Sequence, residues 1–154
     1  MISPVLVYLD TCTWCRPFDD QTQDRVRDET AAFYEIMLHV DRRDIEISGS
    51  EALLAEIEDI NDEAKRERVR MLVKRGTSLS VKLDEDIKKI AVVIERICGL
   101  HGGDALQVAS AKIGGAKYFI TTDEGVSERA KCISKETSIF IINPIDFVEG
   151  RLWR

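Results

Sequence analysis

Two carboxylates and the elements between them open the case for chemistry in this chain. In the stretch GGDALQVASAKIGGAKYFITTD, residues 102–123, Asp104 stands where a helix begins and Asp123 stands just after an apolar strand. A helix N-terminus favours an anion, and open α/β sheets place their sites at the carboxyl ends of strands. Ala105, Leu106, Val108, Ala109 and Ile113 keep helical spacing, so one face of this helix is expected to be buried. Gly114-Gly115 stops it before the strand at 118–121. Two acids at two element ends suggest a carboxylate site, which directs attention to acids elsewhere.

Two more satisfy the same test. Val5-Leu6-Val7-Tyr8-Leu9 is a compact apolar run that ends in Asp10-Thr11, as a buried parallel strand would. Ser48-Gly49-Ser50 then caps a charged helix expected over 51–74. Its apolar stripe is Leu53, Ile57, Ile60 and Ala64, with Glu56 at the edge; Glu51, Glu58 and Asp62 point away. Glu56 is therefore the acid best placed to look inward, and Glu63 is the alternative.

Composition sets limits. The chain has 154 residues, 44% apolar and 32% charged, which suits one soluble globular domain with a sizeable core. The N-terminus carries no basic leader and no apolar run reaches spanning length, so a cytoplasmic protein without a membrane partner is expected. Cys12, Cys15, Cys98 and Cys132 are then expected to be thiols. A net charge of −6 argues against a simple electrostatic nucleic-acid binder. It leaves room for an enzyme that gathers carboxylates to hold divalent cations, which cancel that charge locally.

The remaining elements must position these acids. Residues 12–20 read as a loop around Pro17, followed by a helix over 21–39 and a short strand at 45–47. Gly76-Thr77-Ser78 breaks the second helix. The third covers 84–98, with Ile87, Ile90, Ala91, Ile94 and Ile97 in a 3.6-residue stripe and Gly99 at its end. After Asp123 come a helix over 125–135, a strand over 138–142 and an Asn143-Pro144 turn into 145–148. Strands alternating with helices indicate an α/β fold with a mostly parallel sheet.

With Asp10, Glu56, Asp104 and Asp123 in this order, the chain resembles the PIN-domain family of metal-dependent ribonucleases, which includes VapC-type toxins. The likeness is carried by Leu9-Asp10-Thr11, SEALLAEI with Glu56, DALQVASA with Asp104, Thr121-Thr122-Asp123 and the closing NPIDF, and it spans nearly the whole chain. The segment CTWCRPFDD is longer than the polar loop usual after the family's first strand. The resemblance implies a single PIN-like domain over 1–154, built as a three-layer α/β sandwich. It implies a Mg²⁺- or Mn²⁺-dependent endoribonuclease, in its narrower form the toxin of a toxin–antitoxin pair, with RNA, an antitoxin protein and a second copy of the chain as partners. Asp10, Asp104 and Asp123 would bind metal, Glu56 would complete the catalytic set, and Thr11 and Thr121 would contact metal waters or substrate.

Other readings stay open. One is a non-catalytic PIN-like binding or assembly module. Another is a dithiol redox protein using Cys12-x-x-Cys15, which follows a strand. Those cysteines could instead join Cys98 and His101 as a zinc site; His39 and His101 otherwise read as surface or interface histidines. The basic run Lys65 to Arg75 is either a solvated helix face or a contact for RNA phosphates.

Overall fold

The computed structural model describes residues 3–154 and is built around five parallel strands. These are β1 (Val5–Leu9), β2 (Ile45–Ser50), β3 (Thr77–Val81), β4 (Tyr118–Ile120) and β5 (Phe140–Ile142), in the order β3-β2-β1-β4-β5. The first three strands step outward one way from β1, and β4 and β5 step outward the other way. Right-handed crossovers running in opposite directions put their helices on opposite faces of the sheet. The α/β sandwich expected from the sequence is thus present, with the sheet parallel throughout.

Two sets of helices cover it. On one side α2 (Asp24–Asp41) packs against α9 (Pro144–Glu149), and on the other α5 (Glu85–Cys98) packs against α6 (Gly102–Ile113) and α8 (Ala130–Thr137). Val7, Tyr8, Leu9, Ile47, Phe119 and Ile120 form the buried sheet centre, where Tyr8 stacks on Phe119 at 5.4 Å between ring centroids. No helix among the described residues is long and apolar enough to cross a membrane.

Several boundaries depart from the sequence expectation. The presumed loop after β1 is helix α1 (Thr11–Cys15) and a 3₁₀ turn (Arg16–Phe18). The helix forms because the Asp10 side chain accepts the Thr13 N–H, and it turns Trp14 fully into the core. A Cβ on Gly76 would stand 2.9 Å from the Trp14 ring, so the close approach requires glycine there. The helix expected over 51–74 is two, α3 (Glu51–Glu58) and α4 (Glu63–Gly76), because Asp62 caps a new start by accepting the Lys65 N–H. The breaker Gly76-Thr77-Ser78 leads into β3, an edge strand whose mixed, exposed residues carry little hydrophobic signal. The helix expected over 125–135 is likewise two, α7 (Glu124–Ser127) and α8, and the final turn is α9, capped by Asn143.

The cysteines require a correction. Cys98 and Cys132 form a disulfide across 34 residues, joining the end of α5 to α8; only Cys12 and Cys15 are free thiols. Packing of α5 on α8 brings the two Cα atoms to 5.7 Å, a proximity that sequence spacing does not encode. The zinc set of Cys12, Cys15, Cys98 and His101 is excluded with it, since Cys98 is already bonded.

Candidate carboxylate site

The order of the strands reverses between β1 and β4, and ligands in such sheets bind outside the carboxyl ends of the strands at that point. Asp10 follows β1 and Asp123 follows β4. Register does the alignment: Leu9 pairs with Ile120, so Asp10 comes level with Thr121. The Asp10 N–H donates to the Ile120 carbonyl at 3.3 Å, and the Thr121 hydroxyl donates to Asp10 Oδ2 at 2.5 Å.

Asp10 is buried and fully engaged. Besides Thr121, it accepts the Thr13 N–H at 3.1 Å and the Thr13 hydroxyl at 2.8 Å, both on Oδ1. Burial pushes its carboxyl up from 3.8 to about 7; the hydrogen bonds from Thr121 and Thr13 oppose that rise, and the charge of Asp104 adds to it. Asp123 caps α7, its Oδ1 accepting the N–H groups of Gly125 and Val126. The Asp123 N–H in turn donates to Thr121 Oγ1 at 3.0 Å. Thr121 therefore ties the two strand-end acids together.

Asp104 lies in the first turn of α6, two residues inside a helix that starts at Gly102 with His101 as its cap. Its carboxyl is raised by burial first, then by the charges of Asp123 and Glu56. Asp104 thus lies within reach of the charge of each of the other three sequence-selected acids, Asp10, Glu56 and Asp123. Glu56 faces this cluster. Its Oε1 accepts the Thr11 hydroxyl at 3.1 Å and its Oε2 accepts Gln107 Nε2 at 2.6 Å. Glu63, the alternative, is exposed at the start of α4. Among the described residues, no three His, Cys, Asp or Glu side chains stand close enough together to grip one ion.

Gln107 and Thr13 carry no mark in the sequence, and Tyr8 and Ser50 read there only as strand and cap residues. Gln107 is a buried polar residue of α6, on the side opposite its apolar stripe, bonded to Thr11 and Glu56 and accepting from Tyr8. Helical spacing placed it opposite the apolar stripe, so the sequence held no signal for its burial. Gly103 belongs here too, because a Cβ there would approach Glu56 Oε2 to 3.0 Å.

Other selected residues play different parts. Cys12 sits beside the acids, but burial, and then the charge of Asp10, pushes its thiol well above the usual value. Cys15 is buried and is raised, chiefly by burial, to about 11. A dithiol nucleophile needs the opposite shift, so the direction of both shifts weighs against a redox role for the pair. His39 bonds Asp44 at 2.8 Å and stacks on Trp153, and His101 is exposed. In the basic run, Arg70 pairs with Glu58 and Glu67, Lys65 with Asp19, and Arg66 donates to the Ile60 carbonyl. Arg68, Lys74 and Arg75 remain exposed.

A second acid group is structural. Glu29 is fully buried, accepting Arg16 through two nitrogens at 2.8 and 2.6 Å and Asn143 at 2.5 Å. It joins α2 to the 3₁₀ turn and to the cap of α9. Arg25, which reaches the Thr122 carbonyl and pairs with Glu124, links this group to the segment carrying Asp123.

No protein-family model and no curated protein sequence matches the chain. Among solved structures it is similar to a chain in the crystal structure of VapBC2 from Rickettsia felis bound to a DNA fragment from their promoter, with a TM-score of 0.57 and 11% identity. The likeness covers 90% of this chain and 98% of that one. It supports a PIN-like fold of the kind that the sequence motifs resemble.

Proposed function

We propose that the chain is a divalent-cation-dependent ribonuclease. The observation that carries this reading is the gathering of Asp10, Glu56, Asp104 and Asp123, from four separate elements, at the point where the strand order reverses. An oxygen-only donor set suits Mg²⁺ or Mn²⁺. Burial raises Asp104 first, and the charges of Asp123 and Glu56 add a repulsion that a cation would relieve. Since no three of these side chains stand close enough to grip one ion as they are placed, Asp10, Asp104 and Asp123 would have to draw together around it; when bound, it would supply an activated water and charge for the leaving oxygen.

The protein's own part is orientation. Thr13 and Thr121 hold Asp10 in one pose, and the Gly125 and Val126 N–H groups do the same for Asp123. Glu56, held by Thr11 and Gln107, is set to accept a proton from a water at the open side of the cluster. Of the exposed basic residues of α4, Arg68 is the candidate for RNA phosphates, since Lys74 and Arg75 lie by the N-terminal end of β3, away from the acids. The narrower reading is a toxin restrained by an antitoxin protein, as the fold likeness to a chain of a VapBC2 complex suggests for partner class.

The test is cleavage of single-stranded RNA by purified protein, titrated with Mg²⁺ and Mn²⁺. Cleavage should require the cation, stop with chelator, and fall on the order of 1000-fold or more in Asp123→Asn. RNA binding without cleavage at any cation concentration would favour the non-catalytic module instead.

A further inference from the structure

We propose that Gln107 is the positioning residue of Glu56, held in place by a one-way chain of hydrogen bonds that runs from Ser50 through Tyr8. The functional part of this inference rests on the ribonuclease reading; the structural part does not.

The direction of every proton in the chain follows from counting donors. Ser50 Oγ accepts the Leu53 N–H at 3.0 Å, which leaves its single proton for Tyr8 Oη at 2.7 Å. Tyr8 also has one proton, and Gln107 Oε1, which can only accept, lies at 3.2 Å. The Tyr8 proton therefore goes to Gln107, and Ser50 supplies Tyr8. With Oε1 turned to Tyr8, both protons of Gln107 Nε2 face the site, one toward Glu56 Oε2 at 2.6 Å and one toward Thr11 Oγ1 at 2.9 Å. Thr11 accepts from Gln107, so its own proton is free for Glu56 Oε1 at 3.1 Å. Each carboxylate oxygen of Glu56 thus receives one donor. Flipping the amide of Gln107 would set its oxygen against a carboxylate oxygen and undo the chain.

The path closes on itself. It begins at Ser50, the cap of α3, passes through β1, α6 and α1, and ends on Glu56 of α3. Ser50, Tyr8 and Gln107 are at most 1% exposed, so bulk water does not compete for these bonds. An apolar residue at 107 would fill this space without needing partners. What glutamine adds is direction: it holds the Glu56 carboxylate above Gly103, in the first turn of the helix that carries Asp104.

Two measurements test this, one of them independent of activity. In ¹H–¹⁵N spectra of the metal-free protein, the Gln107 side-chain amide pair should exchange slowly with water. Both resonances should move in Glu56→Gln and in Tyr8→Phe, a change that keeps the packing and removes one donor. A rapidly exchanging pair, indifferent to both substitutions, overturns the proposal.

The second is a double-mutant cycle on cleavage. Gln107→Met should lower kcat on the order of 10- to 100-fold, as loss of a partner orienting a site ligand does, with KM changed less than about twofold. In a Glu56→Gln background the same change should cost almost nothing further, because its effect passes through Glu56. Equal fold-losses in both backgrounds would make Gln107 a packing residue and sink the positioning role. Should Gln107→Met fail to fold, Tyr8→Phe takes its place in the cycle with the same non-additivity expected. If the wild type cleaves no RNA under any cation, the ribonuclease reading falls, and the amide pair alone decides whether the chain positions Glu56.

Discussion

At Asp10, burial and hydrogen bonding oppose each other, and burial wins. Its carboxyl is raised from 3.8 in the unfolded chain to about 7 in the fold. A raised carboxyl means that the folded state holds the proton more tightly than the unfolded state. Below about pH 4 both forms are protonated and there is no penalty; the cost grows as pH rises toward the folded value and is complete above it. A shift of this size corresponds to roughly 4 kcal/mol. Asp10→Asn cannot titrate, yet its side-chain oxygen can still accept from Thr13. In chelator, the stability of the Asn variant relative to wild type should therefore increase steadily between about pH 4 and pH 8. Denaturant melts across that range would show it, and a difference that stays flat with pH would remove the burial argument. The four acids were legible because each sits at an element end or on an inward stripe. Their supports were not: Thr13 looked like part of a loop, and Gln107 was hidden in a run of small apolar residues. Nothing in sequence spacing shows that Tyr8 and Gln107, 99 positions apart, meet.

Among the elements, the strongly periodic ones were read well and the locally conflicted ones were not. The 3.6-residue stripe of α5 marks a helix whose buried face is Ile87, Ala91, Ile94 and Cys98, with Ile97 of the expected stripe exposed instead, and Gly99 ends it in the left-handed region at φ 70°. By contrast, the apolar stripe of Leu53, Ile57, Ile60 and Ala64 ran across the break between α3 and α4, since apolar spacing does not reveal where Asp62 prefers a cap to a helical turn. The disulfide was expected least, and it acts on elements that matter to the site. It fastens the end of α5, just before the loop into α6 and Asp104, to α8, which follows the α7 segment capped by Asp123. For a closed loop of 34 residues, the chain-entropy argument gives about 4 kcal/mol. A thiol reductant should then lower Tm by about 10 °C, given roughly 2–4 °C per kcal/mol for a domain of this size. The double variant Cys98→Ser, Cys132→Ser should melt where reduced wild type melts and ignore the reductant. Identical melting of oxidised and reduced wild type would contradict a stabilising bond.

For the molecule as a whole, the same acids proposed to serve a cation should weaken the fold without one. Asp104 is raised by burial and by the charges of Asp123 and Glu56. By the same linkage, its ionised form costs stability above the folded value, and that cost vanishes below the unfolded one. Asp104→Asn removes a charge from the cluster while keeping the size of the side chain. The variant should lose RNA cleavage yet melt at or above the wild-type temperature in chelator at neutral pH. Adding Mg²⁺ or Mn²⁺ should reverse the order, because a cation that binds only the folded state adds about 2.7 kcal/mol at 100 times its Kd. Wild type should gain roughly 5–10 °C at that saturation, and the variant much less, having lost one charged oxygen donor. The rival account makes Asp104 merely a favourable charge in the first turn of α6, worth about 0.3–1 kcal/mol. It predicts the opposite pattern: a slightly less stable variant, unchanged cleavage, and equal cation response in both proteins. Melting curves of the two proteins with and without cation, run beside the cleavage assay, separate these accounts. A destabilised but fully active Asn variant would take Asp104 out of the metal site.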